Sequence, residues 1–174
     1  MAGSSWILLA GNAIVASTLL LAASAKLVSP LALSRSLIQV TGRAALSSRE
    51  VVRGTGVLEA AIALGVLIEP VRPTAAVLLA ALGLSFLALG IAGRVRNANE
   101  PCGCFGAASQ QPLGYQNVGL GLVVCAVGVA NLLISYQPSD DARAAAPILT
   151  AALLCLACMV TGRSVLWPAA KVSN

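Results

Sequence analysis

Residues 74–93 read TAAVLLAALGLSFLALGIAG, a predominantly apolar stretch without a charged side chain. An α-helix needs about 20 such residues to cross the ~30 Å hydrocarbon core of a bilayer. The stretch shows no regular alternation of polar and apolar residues, which a membrane-spanning strand would require. It therefore predicts a transmembrane helix.

Four further apolar runs of similar length cover residues 6–28, 51–68, 113–134 and 146–166. Of the 174 residues, 58% are hydrophobic and only 10% are charged, which is outside the usual composition of soluble domains. The backbone of a spanning segment must satisfy its own hydrogen bonds. The sequence therefore predicts an all-α polytopic membrane bundle of about five transmembrane helices, a single transmembrane domain over residues 1–174.

Two segments near the first run admit a second interpretation. Residues 23–25 resemble a signal-peptidase site, but no basic residue precedes the apolar stretch, so we interpret residues 6–28 as a span. After this span, Leu33, Leu37 and Ile38 lie at helical spacing among polar residues. This spacing predicts an amphipathic helix at the membrane interface, with an irregular surface loop as the alternative.

The basic residues predict the orientation in the cell (inner) membrane. Nine of the eleven Lys and Arg residues fall in the first connection, the third connection and the C-terminal end, and two fall on the other side. Because Lys and Arg near helix ends are retained in the cytoplasm, we expect the N-terminus outside and the C-terminus inside. The net charge of +5 then indicates contact with anionic lipid and not with nucleic acid.

The candidate reactive site is the polar break Pro101-Cys102-Gly103-Cys104-Phe105-Gly106. Redox exchange, a structural disulfide and metal binding are its three interpretations. A disulfide across one residue closes a small ring that Gly103 can accommodate, and strain in the ring favours exchange. A structural zinc site needs about four ligands. The chain has no His, so we expect no metal site, and His-ligated haem is excluded.

Glu59 is the second candidate, because it falls near the centre of the second predicted span. An ionised carboxylate there costs several kcal/mol unless it is paired or faces water; a protonated Glu bonded to a neighbouring helix is the structural alternative. Lys26 and Arg53 are the candidate counter-charges. The first and third connections must lie on one side of the membrane, so we expect Lys26, Glu59 and the Cys102/Cys104 loop in one half of the bundle.

Three further cysteines lie inside predicted spans. Cys125 is near the middle of the fourth span, and Cys155 and Cys158 are near the middle of the fifth. Antiparallel neighbouring helices would bring the three sulfurs to similar depth, so they are candidates for a thiol relay. The alternative is that cysteine serves here as a small packing residue.

These motifs together resemble the MauE family of the DoxX-like membrane proteins. The residues that carry the resemblance are Ser24-Ala25-Lys26, Pro30, Glu59, Gly65, the Cys-Gly-Cys-Phe-Gly loop at 102–106, and Asn117. One position differs from the family pattern, which usually has Arg-Asn where this chain has Gln116-Asn117. The difference removes a cation that would stabilise a thiolate near the loop.

The resemblance implies a four-helix core with one added helix, and a role in thiol–disulfide chemistry or in the maturation of exported proteins. It implies that Cys102 and Cys104 exchange and that Glu59 handles protons or faces a quinone, which is the candidate cofactor. It also implies a thioredoxin-like partner or a larger membrane complex. The supporting residues that it indicates are Lys26, Gly103, Phe105, Gly106 and Asn117.

Two other function classes stay open at this point. A non-catalytic accessory subunit would use the cysteine turn only as structure, and Gly83, Gly90, Gly121 and Gly128 would suit close packing of its helices, including packing against other subunits. A transporter built around Glu59 is disfavoured, because the spans contain one acid and no repeat. Exported substrates would also require the cysteine loop outside, whereas the basic residues place it inside.

Overall fold

The computed structural model describes residues 2–43, 47–98, 102, 112–134 and 140–166. These residues form six α-helices, and a short 3-10 turn at Glu69–Val71 precedes the fourth. The helices are α1 (Ala2–Val28), α2 (Leu31–Thr41), α3 (Arg49–Gly65), α4 (Arg72–Val95), α5 (Tyr115–Leu133) and α6 (Asp140–Leu166). The prediction of an all-α membrane bundle is confirmed.

Three described segments are long and apolar enough to cross a membrane by themselves: Trp6–Val28, Glu69–Val95 and Tyr115–Leu133. The predicted second span is not among these three segments, because α3 has only 17 residues and carries four charged side chains. The apolar part of α6 is also short, at Ala145–Cys158. Both helices nevertheless pack against α1, so five helices build the bundle although hydropathy alone identifies three of them.

The segment after the first span is helical, as the amphipathic pattern predicts. Leu33 and Val40 are buried on α2, whereas Ile38, which the pattern assigned to the apolar face, is 48% exposed. The helix ends at Gly42, whose φ of 67° is the left-handed conformation that glycine adopts readily. α3 then begins after Ser48, whose side chain accepts a hydrogen bond from the Val51 backbone N–H.

Four helices form a ring in which α1 and α4 each pack against both α3 and α5, and α6 packs outside the ring on α1. α1 and α3 are antiparallel: Gly56 lies against the end of α1 at Lys26, whereas Ile62, further along α3, lies in the core with the earlier residue Leu19. The apolar side chains of all four helices meet in one core. Its members include Val15 and Leu19 of α1, Ile62 and Ala63 of α3, Leu79 and Phe86 of α4, and Val124 of α5.

Glycines hold α4 and α5 together as the most extensively packed pair. A Cβ atom on Gly83 would lie 2.5 Å from the backbone N of Cys125, and one on Gly121 would lie 2.6 Å from the backbone N of Leu87. The backbones therefore touch, and no side chain fits between them. A Cβ atom on Gly90 or Gly128 would likewise lie less than 3.0 Å from a backbone N of the other helix. These glycines serve packing within the chain.

A reciprocal pair of amides joins α1 to α5. The Asn12 Nδ2 donates to Asn131 Oδ1 at 3.0 Å, and the Asn131 Nδ2 donates to Asn12 Oδ1 at 2.7 Å. Asn131 also donates to the Val127 carbonyl at 2.8 Å. An amide without a partner is costly in an apolar environment, so the pair fixes the depth of α1 relative to α5. Neither residue carries a charge, so hydropathy and charge patterns did not predict this contact.

Replacing Gly121 with Ala is expected to destabilise the protein, because the added methyl group would collide with the backbone of α4. Such overpacking costs about 1–3 kcal/mol. Thermal unfolding of the purified protein in detergent should therefore show a lower Tm. Gly119→Ala is the matched control on the same helix, since a Cβ there meets nothing within 4 Å. Equal losses of Tm in the two variants would contradict the packing.

Candidate functional site

Cys102 lies at one end of the bundle, where the first and third connections meet. Its side chain is only 3% exposed. It packs in a second apolar cluster with Leu33 and Val40 of α2, Val52 of α3, Ala98 and Leu113. The guanidinium of Arg96 also donates to the Val40 carbonyl, which ties the two connections together. The structure thus places both connections on one side of the bundle.

The Cys102 sulfur is part of a disulfide and has an amide beside it. The Asn117 Nδ2 donates a hydrogen bond to Cys102 Sγ at 3.1 Å. Asn117 stands in the first turn of α5, where its backbone N–H donates to the Gly114 carbonyl at 3.0 Å. Its side chain is 6% exposed. The start of α5 therefore directs a buried donor onto the sulfur.

The rest of the predicted loop lies outside the described residues, and this applies to Gly103, Cys104, Phe105 and Gly106. Cys125, Cys155 and Cys158 are thiols that take part in no disulfide. Cys155 and Cys158 are exposed on α6, which packs on α1, while Cys125 is half-buried on α5. The thiol relay through these three residues stays a prediction.

Lys26 and Glu59 form a buried ion pair. The Lys26 Nζ lies 2.6 Å from Glu59 Oε2 and 2.8 Å from Oε1, so one ammonium group binds both carboxylate oxygens. The side chains are 2% and 0% exposed. The other candidate counter-charge, Arg53, instead lies 3.8 Å from Glu50 at the surface. Of the two cations that the sequence suggested, Lys26 is the partner of Glu59.

A close approach of α1 and α3 makes this contact possible. A Cβ atom on Gly56 would lie 3.1 Å from the Ala23 carbonyl oxygen and 3.3 Å from Lys26 Cβ, so the glycine lets the helices come together. Helical side chains lean toward the N-terminus of their helix, which directs Lys26 into the bundle. A lysine near a helix end usually extends toward water instead. The Phe86 ring centroid lies 6.0 Å from the Lys26 Nζ.

The ion pair and the cysteine occupy the same half of the bundle at different depths. Val52 packs in the cluster that contains Cys102, and it precedes Glu59 by seven residues on the same face of α3. Seven residues of α-helix span about 10 Å along the axis. The carboxylate therefore lies about two turns deeper in the bundle than the cysteine cluster.

A cavity of about 260 Å³ lies beside the start of α5, and Arg94, Tyr115 and Gln116 are among the residues that line it. The Arg94 guanidinium carbon lies 4.4 Å from the centroid of the Tyr115 ring, and its Nη2 donates to the Tyr115 hydroxyl at 3.2 Å. Gln116 stands where the family resemblance leads one to expect Arg. Arg94, near the end of α4, thus places a cation at the cavity that Gln116 also lines.

The protein-family model described as Methylamine utilisation protein MauE matches residues 4–136. The matched segment contains α2 to α5 and nearly all of α1, with Lys26, Glu59, Cys102 and Asn117. α6 lies beyond it. No curated protein and no solved structure matches the chain significantly. The family match confirms the resemblance that the motifs indicate.

Replacing Lys26 with Met is expected to lower the free energy of unfolding by about 3–5 kcal/mol, because the Glu59 carboxylate is left buried without a counter-charge. The double variant Lys26→Met/Glu59→Met removes both charges and should recover most of this loss. Thermal unfolding in detergent measures both effects. Arg53→Met, at the half-exposed surface pair, is the control and should cost at most about 1 kcal/mol. A double variant no more stable than Lys26→Met would contradict the pairing.

Proposed function

The chain belongs to the MauE family of membrane proteins, and from this premise we propose that it is a thiol–disulfide redox protein that assists disulfide formation or maturation of partner proteins. The observation that carries the proposal is the disulfide at Cys102, held at one end of the bundle beside the Asn117 amide. A multi-pass helical bundle of this size suits a protein that acts on partners at the membrane surface.

The proposal takes Cys104 as the disulfide partner of Cys102. Two observations support this pairing: the other three cysteines of the chain take part in no disulfide, and the sequence contains five cysteines in all. The pair would stand in the third connection, outside the hydrocarbon. A thioredoxin-like protein or a subunit of a larger membrane complex is the proposed partner.

The proposed reaction is a two-step exchange. A thiolate of a partner dithiol attacks one sulfur of the disulfide, which forms a mixed disulfide and releases the other cysteine as a thiolate. The partner's second thiol, once deprotonated, attacks the mixed disulfide and releases the remaining cysteine. The partner leaves oxidised, and two electrons and two protons pass to the cysteine pair. A membrane quinone is the proposed two-electron acceptor that restores the disulfide.

Glu59 has a proposed role in handling protons during this cycle. Lys26 binds both of its carboxylate oxygens, so a change in the protonation of Glu59 must weaken this ion pair. The nearness of the pair to the cysteine cluster, about two helical turns along α3, supports a connection between them. The supporting role proposed for Lys26 is therefore to hold Glu59 ionised while the pair is closed.

One observation favours a second function, that of a non-catalytic accessory subunit. Cys102 is 3% exposed and packs as part of an apolar cluster, as a purely structural disulfide would. The two functions differ in the reduction potential that they require. An exchanging disulfide must equilibrate with cellular thiols, whereas a structural one resists them.

Titration of the purified protein against glutathione redox buffers distinguishes the two functions. We expect the disulfide to titrate within the glutathione range, at about −180 to −250 mV, whereas a structural disulfide would stay oxidised to below about −300 mV. Labelling of thiols with a maleimide of high mass, followed by electrophoresis, measures the reduced fraction. Cys125→Ser is the control and should titrate like the wild type. If the wild-type disulfide stayed oxidised throughout the glutathione range, the result would contradict the redox function and support the accessory function.

The proposed orientation places the N-terminus outside and the cysteine loop in the cytoplasm, and single-cysteine labelling tests it. In a background with every native cysteine replaced by Ser, Arg35→Cys introduces an exposed thiol on α2, and Glu69→Cys introduces one before α4. A membrane-impermeant maleimide applied to intact cells should label Glu69→Cys and spare Arg35→Cys. The reverse pattern would place the loop outside.

A further inference from the structure

We infer that Asn117 is a positioning residue for the redox chemistry, whose side-chain amide stabilises the thiolate that Cys102 becomes when the disulfide opens. The inference rests on the proposed function and deepens it, since it distinguishes the two sulfurs of the disulfide. Cys102 is the sulfur that leaves, and an incoming thiolate attacks the other one.

The hydrogen bond favours the reduced form of the site. In the structure, the Asn117 Nδ2 donates to Cys102 Sγ at 3.1 Å while this sulfur is in a disulfide. A neutral sulfur is a weak acceptor. A thiolate in the same place carries a full negative charge, and hydrogen bonds to charged groups are roughly twice as strong as neutral ones. The same contact therefore stabilises the thiolate more than the disulfide.

The surroundings strengthen this effect. Cys102 and Asn117 are 3% and 6% exposed, so bulk water does not solvate the sulfur. The apolar side chains of Leu33, Val40 and Leu113 pack in the same cluster as Cys102. In such a low-dielectric environment, a hydrogen bond to a charge is worth more than it is in water. A thiolate formed here depends on a fixed donor.

The start of α5 holds the donor in place before the reaction begins. The backbone N–H groups of Asn117 and Val118 both donate to the Gly114 carbonyl, at 3.0 and 3.1 Å, which sets the first helical turn. Leu113, directly before this turn, packs in the cluster with Cys102. The amide is thus positioned by the helix and needs no reorganisation when the charge appears.

Burial also decides which sulfur is attacked. An incoming thiolate must reach the sulfur that it attacks, and the side chain of Cys102 is almost completely covered. The attack therefore falls on the other sulfur of the disulfide. The new bond forms there, the old bond breaks, and its electron pair goes to Cys102 Sγ. A more stable leaving thiolate departs faster, so the Asn117 contact accelerates this step.

Redox titration of full-length Asn117→Ala in glutathione buffers tests the inference. Loss of the donor should shift the equilibrium toward the disulfide on the order of tenfold, which for a two-electron couple is about 30 mV more negative. Asn117→Asp keeps the shape of the side chain and places a carboxylate against the sulfur, so it should shift the potential in the same direction even where the Ala variant fails to fold. Gln116→Ala, at the exposed neighbouring position, is the control and should titrate like the wild type.

A second readout separates the inference from the proposed function. In a background in which the other four cysteines are replaced by Ser, the ultraviolet absorbance of the Cys102 thiolate is followed against pH, which requires no reagent to reach the buried sulfur. The midpoint of this profile should rise in Asn117→Ala and stay unchanged in Gln116→Ala. A wild-type disulfide that resists glutathione would overturn the proposed function and leave this readout intact. A normal potential and a normal pH profile in both Asn117 variants would overturn the inference, even if their Tm were lower.

Discussion

The contact between the Lys26 ammonium and the Glu59 carboxylate fixes how α1 and α3 pack against each other. Neither charge is tolerable alone inside an apolar bundle, so α1 and α3 can pack only at the depth that joins them. Gly56 permits this approach, because its missing side chain leaves room for α1. The pair contributes little net stability compared with an apolar pair. Its consequence is a fixed register, which brings Val52 to the cysteine cluster.

The other side of the cysteine cluster is set by α4 and α5. Their glycines bring the two backbones into contact along most of their length, so the end of α4 and the start of α5 are held rigidly together. Leu113, in the turn before α5, and Asn117, in its first turn, then lie beside Cys102. Side chains of α2 and α3 on one side, and the end of α4 and the start of α5 on the other, thus enclose one sulfur, which gives a polar group a fixed position within an apolar cluster.

Much of the site was predictable from local features of the chain. An acid in an apolar run and two cysteines in a polar loop can be recognised from the sequence alone. The alternation of predicted spans already placed Lys26, Glu59 and Cys102 in one half of the bundle. Asn12 and Asn131 were overlooked because an uncharged amide barely alters the hydropathy of a run. The helix after the first span was predictable from the spacing of Leu33, Leu37 and Ile38, but which of its side chains pack inside the chain depends on the neighbours of α2.

Hydrophobic length and charge are properties of consecutive residues, so the membrane class, the helical architecture and a common half of the bundle for Lys26, Glu59 and Cys102 could be predicted without the structure. Three contacts could be identified only in the folded bundle: Lys26, and not Arg53, binds Glu59; the Asn117 amide donates to the Cys102 sulfur; and the glycines of α4 and α5 bring the two backbones together. Each of these contacts depends on the rotation and depth of one helix relative to another. Those quantities are set by the packing of side chains that lie far apart in the chain.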